Sequence, residues 1–197
     1  MVLTSFVVLG PVSAKENFQQ IDRSLEIAFQ HARNYPPVFD SETQRENLER
    51  ELLALIAQLE QMLKNTGESQ QILFRLGKAH TFAYNLDIPK SREKADECFA
   101  KLFKLNPNHV EGHLYYGQHL SGRGEFKSAI EHLQVAADAG LDVALGMIGM
   151  AYLQMDNKDE ARAYFQKLRK KHPEDRQAQM LLDSLESSSE YQYKNVS

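Results

Sequence analysis

The chain has 197 residues, 42% of them hydrophobic and 25% charged, and a formal net charge of −4. These values are ordinary for a globular protein, and the length suffices for a substantial core in one or two domains. The mild net acidity argues against a nucleic-acid-binding protein. The one basic run, residues 167–172, lies at a predicted helix end, where positive side chains interact favourably with the helix dipole.

The N-terminus begins with a short apolar run at residues 2–9, which Gly10 and Pro11 interrupt before Val12-Ser13-Ala14. The run is too short to span a bilayer as a helix, whereas the small residues before Lys15 suit cleavage by signal peptidase. We expect residues 1–14 to be a signal peptide and the protein to be periplasmic or secreted. The alternative is a cytoplasmic protein whose apolar N-terminal segment packs on the rest of the chain, because no Lys or Arg precedes the run.

Residues 15–67 predict two helices. The first has apolar residues three and four apart, at Phe18, Ile21, Leu25 and Ala28 or Phe29. Pro36 and Pro37 cannot extend it, and Ser41 with Gln44 forms a capping-box pattern for the second helix. The buried face of that helix is predicted to be Leu48, Leu52, Leu55, Leu59 and Met62. We interpret residues 15–67 as either a capping hairpin or a degenerate form of the repeat described next.

Three later stretches share one spacing of large and small residues. The first stretch contains Leu73, Leu76, Gly77, Ala95, Phe99, Leu102 and Pro107. The second contains His113, Tyr116, Gly117, Leu120, Gly124, Ala129, Leu133 and Ala136. The third contains Leu145, Ile148, Gly149, Tyr152, Ala161, Phe165, Leu168 and Pro173. Each stretch therefore predicts two amphipathic helices joined by a turn.

Small residues recur in each stretch where the two helices are expected to cross. These repeat-packing positions are Gly77, Ala95, Gly117, Ala129, Gly149 and Ala161. The first stretch is longer than the others, and its excess lies at residues 86–91, where Pro89 disfavours helix at the residue before it. We expect a lengthened loop there and a tight turn at residues 139–142.

This pattern resembles the tetratricopeptide repeat, a helix-turn-helix unit of about 34 residues. The resemblance covers residues 68–174 as three units, at about 70–108, 109–141 and 142–174. It implies an all-α, right-handed α-solenoid with flanking capping helices. An apolar stripe at Ala178, Leu181, Leu182 and Leu185 predicts a C-terminal capping helix over residues 175–187, followed by a disordered tail at 188–197.

The sequence offers little that resembles catalytic chemistry. It contains no glycine-rich phosphate loop, nucleophile elbow or paired catalytic carboxylates. His109 and His113 can share a helix face, but no Glu stands in the arrangement that a metalloprotease helix needs and no Cys is near. The single cysteine, Cys98, forms no intramolecular disulfide. We therefore predict no catalytic residue, no metal site and no cofactor, and a protein that is not an enzyme.

The resemblance implies that the first helix of each unit lines a concave groove. The corresponding positions here are Gln71, Phe74, Lys78 and Phe82, then Glu111, Leu114 and Gln118, then Val143, Met150 and Leu153. Lys78 is the only cation among them, which argues against the acidic tails that some family members bind. The expected partner is an apolar or amphipathic protein segment, with neither nucleic acid nor a stable membrane span.

Two alternatives stand beside this scaffold, adaptor or assembly-factor function. The protein could be a non-catalytic structural subunit of an enzyme or secretion complex that contacts its partners by the convex face. The groove positions could also pack against the chain's own N-terminal helices, which would leave no open groove there.

Overall fold

The computed structural model describes residues 14–33 and 35–194, and every regular element in these ranges is an α-helix. The helices are α1 (Ala14–Ala32), α2 (Glu42–Thr66), α3 (Gln70–Asn85), α4 (Ser91–Leu105), α5 (Val110–Gly122), α6 (Phe126–Asp138), α7 (Val143–Gln154), α8 (Lys158–Lys171) and α9 (Arg176–Lys194). The predicted signal peptide lies outside the described residues except for Ala14, as do the last three residues of the predicted tail.

The helix boundaries follow from local signals in the sequence. The Ser41 hydroxyl accepts the Gln44 N–H at 3.2 Å, and the Gln44 side chain accepts the N–H of Asp40 at 2.8 Å, which together cap α2. Gly124 and Gly140 adopt φ of 77° and 95° in the turns before α6 and α7, a conformation that glycine takes without strain. Residues 86–90 form the lengthened loop expected around Pro89.

The chain divides between Ala95 and Asp96 into two compact units, here called the first unit and the second unit. In the first unit, α3 contacts both α1 and α2, and α1 contacts α3 more extensively than it contacts α2. The core of this unit contains the fully buried Ile21, Leu25, Leu52, Leu59, Leu73 and Phe82. Burial of these side chains provides most of the stabilisation of the three helices.

In the second unit, successive helices pack on one another from α5 to α9, and α5 also contacts α7. One core cluster joins Leu133 and Ala136 of α6 to Ile148 of α7 and Leu168 of α8. A second cluster joins α8 to α9 through Ala161, Phe165, Leu182 and Leu185. The expected apolar stripe of α9 is therefore its buried side.

Helix α9 continues to Lys194, beyond the end at residue 187 that we expected, so residues 188–194 are helical where a disordered tail was predicted. No glycine or proline follows Pro173, so nothing in the sequence forces the helix to stop after its apolar stripe. None of the helices in the described ranges is both long enough and apolar enough to cross a membrane.

Candidate protein-binding surface

Helix α7 carries no charged residue among its 12 residues, and all but Tyr152 and Gln154 are apolar or glycine. Its buried side packs into the core through Ala144, Leu145, Ile148, Gly149 and Ala151. The opposite side, here called the α7 face, consists of Val143, Gly146, Met147, Met150 and Leu153. Val143 is 55% exposed and Met150 is 39% exposed, so this helix leaves an apolar stripe uncovered in its own unit.

The glycines of α7 fix which side faces inward. A Cβ added at Gly149 would lie 2.5 Å from Cε1 of Phe165, and one added at Gly146 would lie 3.3 Å from Cδ2 of Leu168. Because both neighbours belong to α8, the two helices approach more closely than a larger residue at Gly149 would permit. The approach at Gly149 holds the buried side of α7 against α8, while Gly146 lies at the edge of the α7 face, where that face meets α8.

The N-terminal end of α7 is held by charge. Asp142 precedes the helix, and its two carboxylate oxygens accept hydrogen bonds from Lys171 at 2.5 Å and His172 at 3.1 Å. These hydrogen bonds hold the pKa of Asp142 below its ordinary value. Because these ionic contacts of Asp142 lie at the surface, they contribute little to stability. They position the end of α7 that carries Val143.

Helix α5 presents the second group of predicted positions beside α7. Glu111 is exposed, while Leu114 and Gln118 are half-buried, and Leu114 packs against the core cluster that includes α7. On its inner side, Gly117 allows the Leu133 side chain to approach, because an added Cβ would lie 2.6 Å from its Cγ. We name Glu111, Leu114, Gln118 and the α7 face together the α5–α7 surface.

The predicted positions on α3 are in a different environment. Phe82 is fully buried, and its ring meets Phe29 of α1 edge to face, with centroids 6.2 Å apart. Gln71 is exposed and Phe74 is half-buried. Phe82 therefore contributes to the core of the first unit and is not accessible to a partner, because α1 covers this part of α3.

Lys78 is half-buried on the same helix. Its ammonium group is 5.5 Å from the centroid of Phe74, and burial lowers the pKa of Lys78, while the carboxylates of Asp22 and Glu26 on α1 oppose that shift. Of the predicted groove positions on α3, Phe82 packs against the chain's own N-terminal helix α1.

Polar contacts that the sequence did not suggest hold α1 on α3. Arg75 forms two hydrogen bonds with the carboxylate of Asp22, at 2.8 and 2.6 Å, and the Asn85 amide donates to the carbonyl of Ala32 at 2.8 Å. Both pairs are separated by 53 residues, so α1 and α3 run parallel in a constant register. Long-range pairs of single polar residues leave no periodic pattern in the sequence, so the sequence carries no signal for them.

An ionic cluster in the second unit surrounds a buried guanidinium group. Arg123, only 6% exposed, donates to both carboxylate oxygens of Asp96, at 2.6 and 2.8 Å, and to Glu125 at 2.5 Å. Burial, together with Asp96, raises the pKa of Tyr116 to about 12. The cluster ties α4 to the turn between α5 and α6, and its groups point toward one another. Among the described residues, no three His, Cys, Asp or Glu side chains gather as a metal site requires.

The remaining repeat-packing positions lie inside the units. Gly77 is buried, and Ala95, Ala129 and Ala161 are fully buried. Leu153 packs partly against the cluster that joins α8 and α9, so the end of the α7 face is less open than its beginning.

The model of the tetratricopeptide repeat family matches residues 144–175, which comprise α7 and α8 almost entirely. No curated protein sequence matches the chain. A crystal structure of MamA is 19% identical and covers 77% of this chain and 86% of its own, with a TM-score of 0.63. TTC0263, a thermophilic TPR protein of Thermus thermophilus, is 18% identical and covers 87% of this chain and 89% of its own, with a TM-score of 0.58.

At these identities the structural likeness concerns the fold, and it extends over most of the chain, whereas the sequence match is confined to the third predicted unit. The all-α fold class predicted from the spacing of large and small residues is confirmed. Residues 144–175 are a tetratricopeptide repeat, and the chain has the all-α fold of tetratricopeptide-repeat proteins.

Proposed function

We propose that this protein is an interaction scaffold, adaptor or assembly factor that binds an apolar or amphipathic segment of a partner protein on its α5–α7 surface. The observation that carries the proposal is the α7 face, an uncharged stripe that retains solvent exposure in a helix otherwise built into the core. Repeat folds of this kind commonly use such surfaces to hold polypeptides.

The chemistry of the surface favours an apolar partner. Met150 is exposed on the α7 face, while Met147 beside it packs partly against the core, and methionine side chains adapt their shape to an apolar partner at little cost. Glu111 is the only charged group among the α5–α7 surface positions, so a strongly charged peptide would find little complementary charge there. An amphipathic helix or an extended apolar segment can bury the stripe while its polar side stays in water.

Two exposed apolar residues of the second unit allow a matched test. Met150 on α7 is 39% exposed, and Val135 on α6 is 37% exposed, so substitution of either by lysine should cost similarly little stability. The tagged wild-type protein and both variants are purified from the native host after cross-linking, and the partners are quantified by mass spectrometry. Met150→Lys should lower recovery of the specific partner about tenfold or more, whereas Val135→Lys should leave it unchanged.

Equal recovery with both variants would refute the proposed surface. Loss with Val135→Lys alone would favour the alternative of a structural subunit whose partner contacts α6. Circular dichroism of both variants ensures that the comparison concerns folded protein.

We also propose that the protein has no catalytic activity of its own, since the polar groups gathered by Asp96 and Arg123 serve to join helices within the second unit.

For its location we propose export, which rests on the apolar run and the cleavage pattern before Lys15. Cleavage after Ala14 would remove only the first residue of α1. Intact-mass analysis of protein from the native host tests this. A chain beginning at Lys15 is expected, and retention of residues 1–14 in cytosolic protein would contradict it.

A further inference from the structure

Two histidines meet in the interior of the second unit. His113 of α5 and His132 of α6 place their Nδ1 atoms 2.8 Å apart, and Nε2 of His113 lies 2.8 Å from the carbonyl oxygen of Pro107. His113 is 8% exposed. A hydrogen bond between two Nδ1 atoms requires that one ring donates and the other accepts.

The carbonyl of Pro107 determines which histidine ring donates the Nδ1–Nδ1 hydrogen bond and which accepts it. A carbonyl oxygen only accepts, so Nε2 of His113 must carry the hydrogen of that bond. Neutral His113 then has a lone pair on Nδ1, and His132 must donate its own Nδ1–H to it. One directed chain of hydrogen bonds therefore runs from α6 through α5 to the loop that precedes α5.

Aromatic rings enclose the pair. Phe103 of α4 stacks on His113 with centroids 4.3 Å apart and on His132 at 5.3 Å, while Tyr116 meets His132 edge-on at 4.8 Å. Burial, with a smaller contribution from His113, lowers the pKa of His132 from 6.5 to about 4. A low-dielectric enclosure opposes the arrival of positive charge on His132.

The charged side chains of this region influence the pKa of Tyr116, whereas only burial and His113 shift that of His132. Asp96 of α4, with Arg123 and Glu125 of the α5–α6 turn, acts on Tyr116, whose ring also contacts His132. His119 of α5 also stacks on Tyr116, with ring centroids 6.2 Å apart. Helix α7, which packs on α6, contributes no titratable group except Tyr152.

We propose that His113 and His132 form a one-proton latch, which holds α5 to α6 and opens when acid forces a second proton onto the pair. With one added proton from solvent, one ring is an imidazolium and the other still offers a lone pair, so the Nδ1–Nδ1 hydrogen bond survives. With two added protons, both Nδ1 atoms carry hydrogen, and neither can accept a hydrogen bond from the other. The two rings must then move apart.

The sign of the effect follows from proton counting. In the unfolded chain both rings take up a proton as the pH falls through about 6.5, whereas the folded pair takes up at most one. The unfolded or opened state thus binds more protons in acid, and the stability that the latch gives is present at neutral pH. It is lost as the pH falls from about 6.5 through about 4.

The test combines two measurements on the full chain. Long-range ¹H–¹⁵N correlation spectra at neutral pH should show His113 protonated at Nε2 and His132 at Nδ1. Amide hydrogen exchange, corrected for intrinsic rates, should show the opening constant of α5 and α6 rising as the pH falls through this window. One linked proton raises it by up to about tenfold per pH unit. Helices α7 and α8 should respond less.

His132→Asn supplies the matched variant, because the asparagine amide can donate from near the Nδ1 position without titrating. Its opening constant should lose the acid-dependent rise, whatever its value at neutral pH. His31→Asn removes one histidine from the first unit and should leave the response of α5 and α6 as in the wild type.

Two results would overturn the latch. The first is that both rings become doubly protonated while α5 and α6 keep their amide protection. The second is that His132→Asn retains the full acid response. If that variant does not fold, the tautomers and the proton count of the wild-type pair decide the question alone.

Discussion

The two units hold their helices together by different means. In the second unit, glycines at the crossings bring helices into contact: Gly117 faces Leu133, and Gly149 faces Phe165. In the first unit, a buried ring and polar side chains hold α1 on α3, through Phe82, Asn85 and the pair that Arg75 forms with Asp22. The glycine crossings of the second unit join helices that are neighbours in sequence. The contacts of the first unit join helices whose contacting residues are 53 positions apart.

This difference has a consequence for the surface that each unit exposes. Where α1 lies along α3, Phe82 is fully buried, and the positions that family resemblance would give to a partner are taken up in part by the chain itself. In the second unit α6 packs against both α5 and α7. The α7 face retains exposed apolar side chains. Equivalent positions in a repeat therefore serve packing in one unit and remain open in the other.

The largest effect is expected from Phe82→Ala. Because the ring is fully buried against Phe29, its removal should destabilise the first unit by about 3–5 kcal/mol. Phe74→Ala, on the same helix but half-buried, should cost clearly less. Chemical denaturation gives the size of both effects, and amide exchange should place the Phe82 effect in α1–α3. An unchanged unfolding midpoint for Phe82→Ala would mean that α1 does not cover this ring in solution.

Gly117→Leu should be the next most damaging substitution. A side chain there collides with Leu133, since even a Cβ would lie 2.6 Å from its Cγ, and overpacking of this kind costs about 1–3 kcal/mol. Gly122→Leu is the control on the same helix, because a Cβ at that position meets no atom within 4 Å. Thermal unfolding of both variants is the measurement. Similar melting temperatures for the two would contradict the close crossing of α5 and α6.

A smaller effect distinguishes the polar contacts of the first unit. Asn85 is 6% exposed, so Asn85→Ala leaves the carbonyl of Ala32 without its donor and should cost about 1–2 kcal/mol. Asp22→Asn weakens an ion pair whose acidic partner is half exposed, and should change the free energy of unfolding by less than about 1 kcal/mol. Urea denaturation resolves the two values. The reverse order would show that the ion pair, and not the buried amide, holds α1 in place.

Much of the second unit was predictable from sequence because its contacts are local. Gly117, Ala129 and Leu133 lie within one hairpin, so their spacing alone indicates a close crossing. The turns at Gly124 and Gly140 likewise carry their own signal in residue type. The end of α9 differs from the expected one. The polar composition of residues 188–194 suggested a tail, but these residues include no glycine or proline and are helical in the structure.

The candidate site was less predictable. Register alone places Phe82 and Met150 at comparable positions on first helices, yet one is fully buried and the other 39% exposed. The difference depends on α1, whose contacts with α3 leave no periodic signal. The contact between His113 and His132 was also not anticipated. His113 stands in a core position of the repeat pattern, but its partner is 19 residues away on another helix, so no helical periodicity joins them.

The smallest expected effect on stability, and the most direct test of the central claim, is at Met150. The claim is that the α7 face is open to a partner while α6 offers no such site. A photo-reactive phenylalanine analogue is introduced at Met150, or at the equally exposed Val135, and cross-linked in the native host. Both variants should unfold within about 0.5 kcal/mol of the wild type. We expect one discrete cross-linked partner from position 150 and none from position 135. Cross-linking from position 135 alone, or equally from both positions, would contradict the claim.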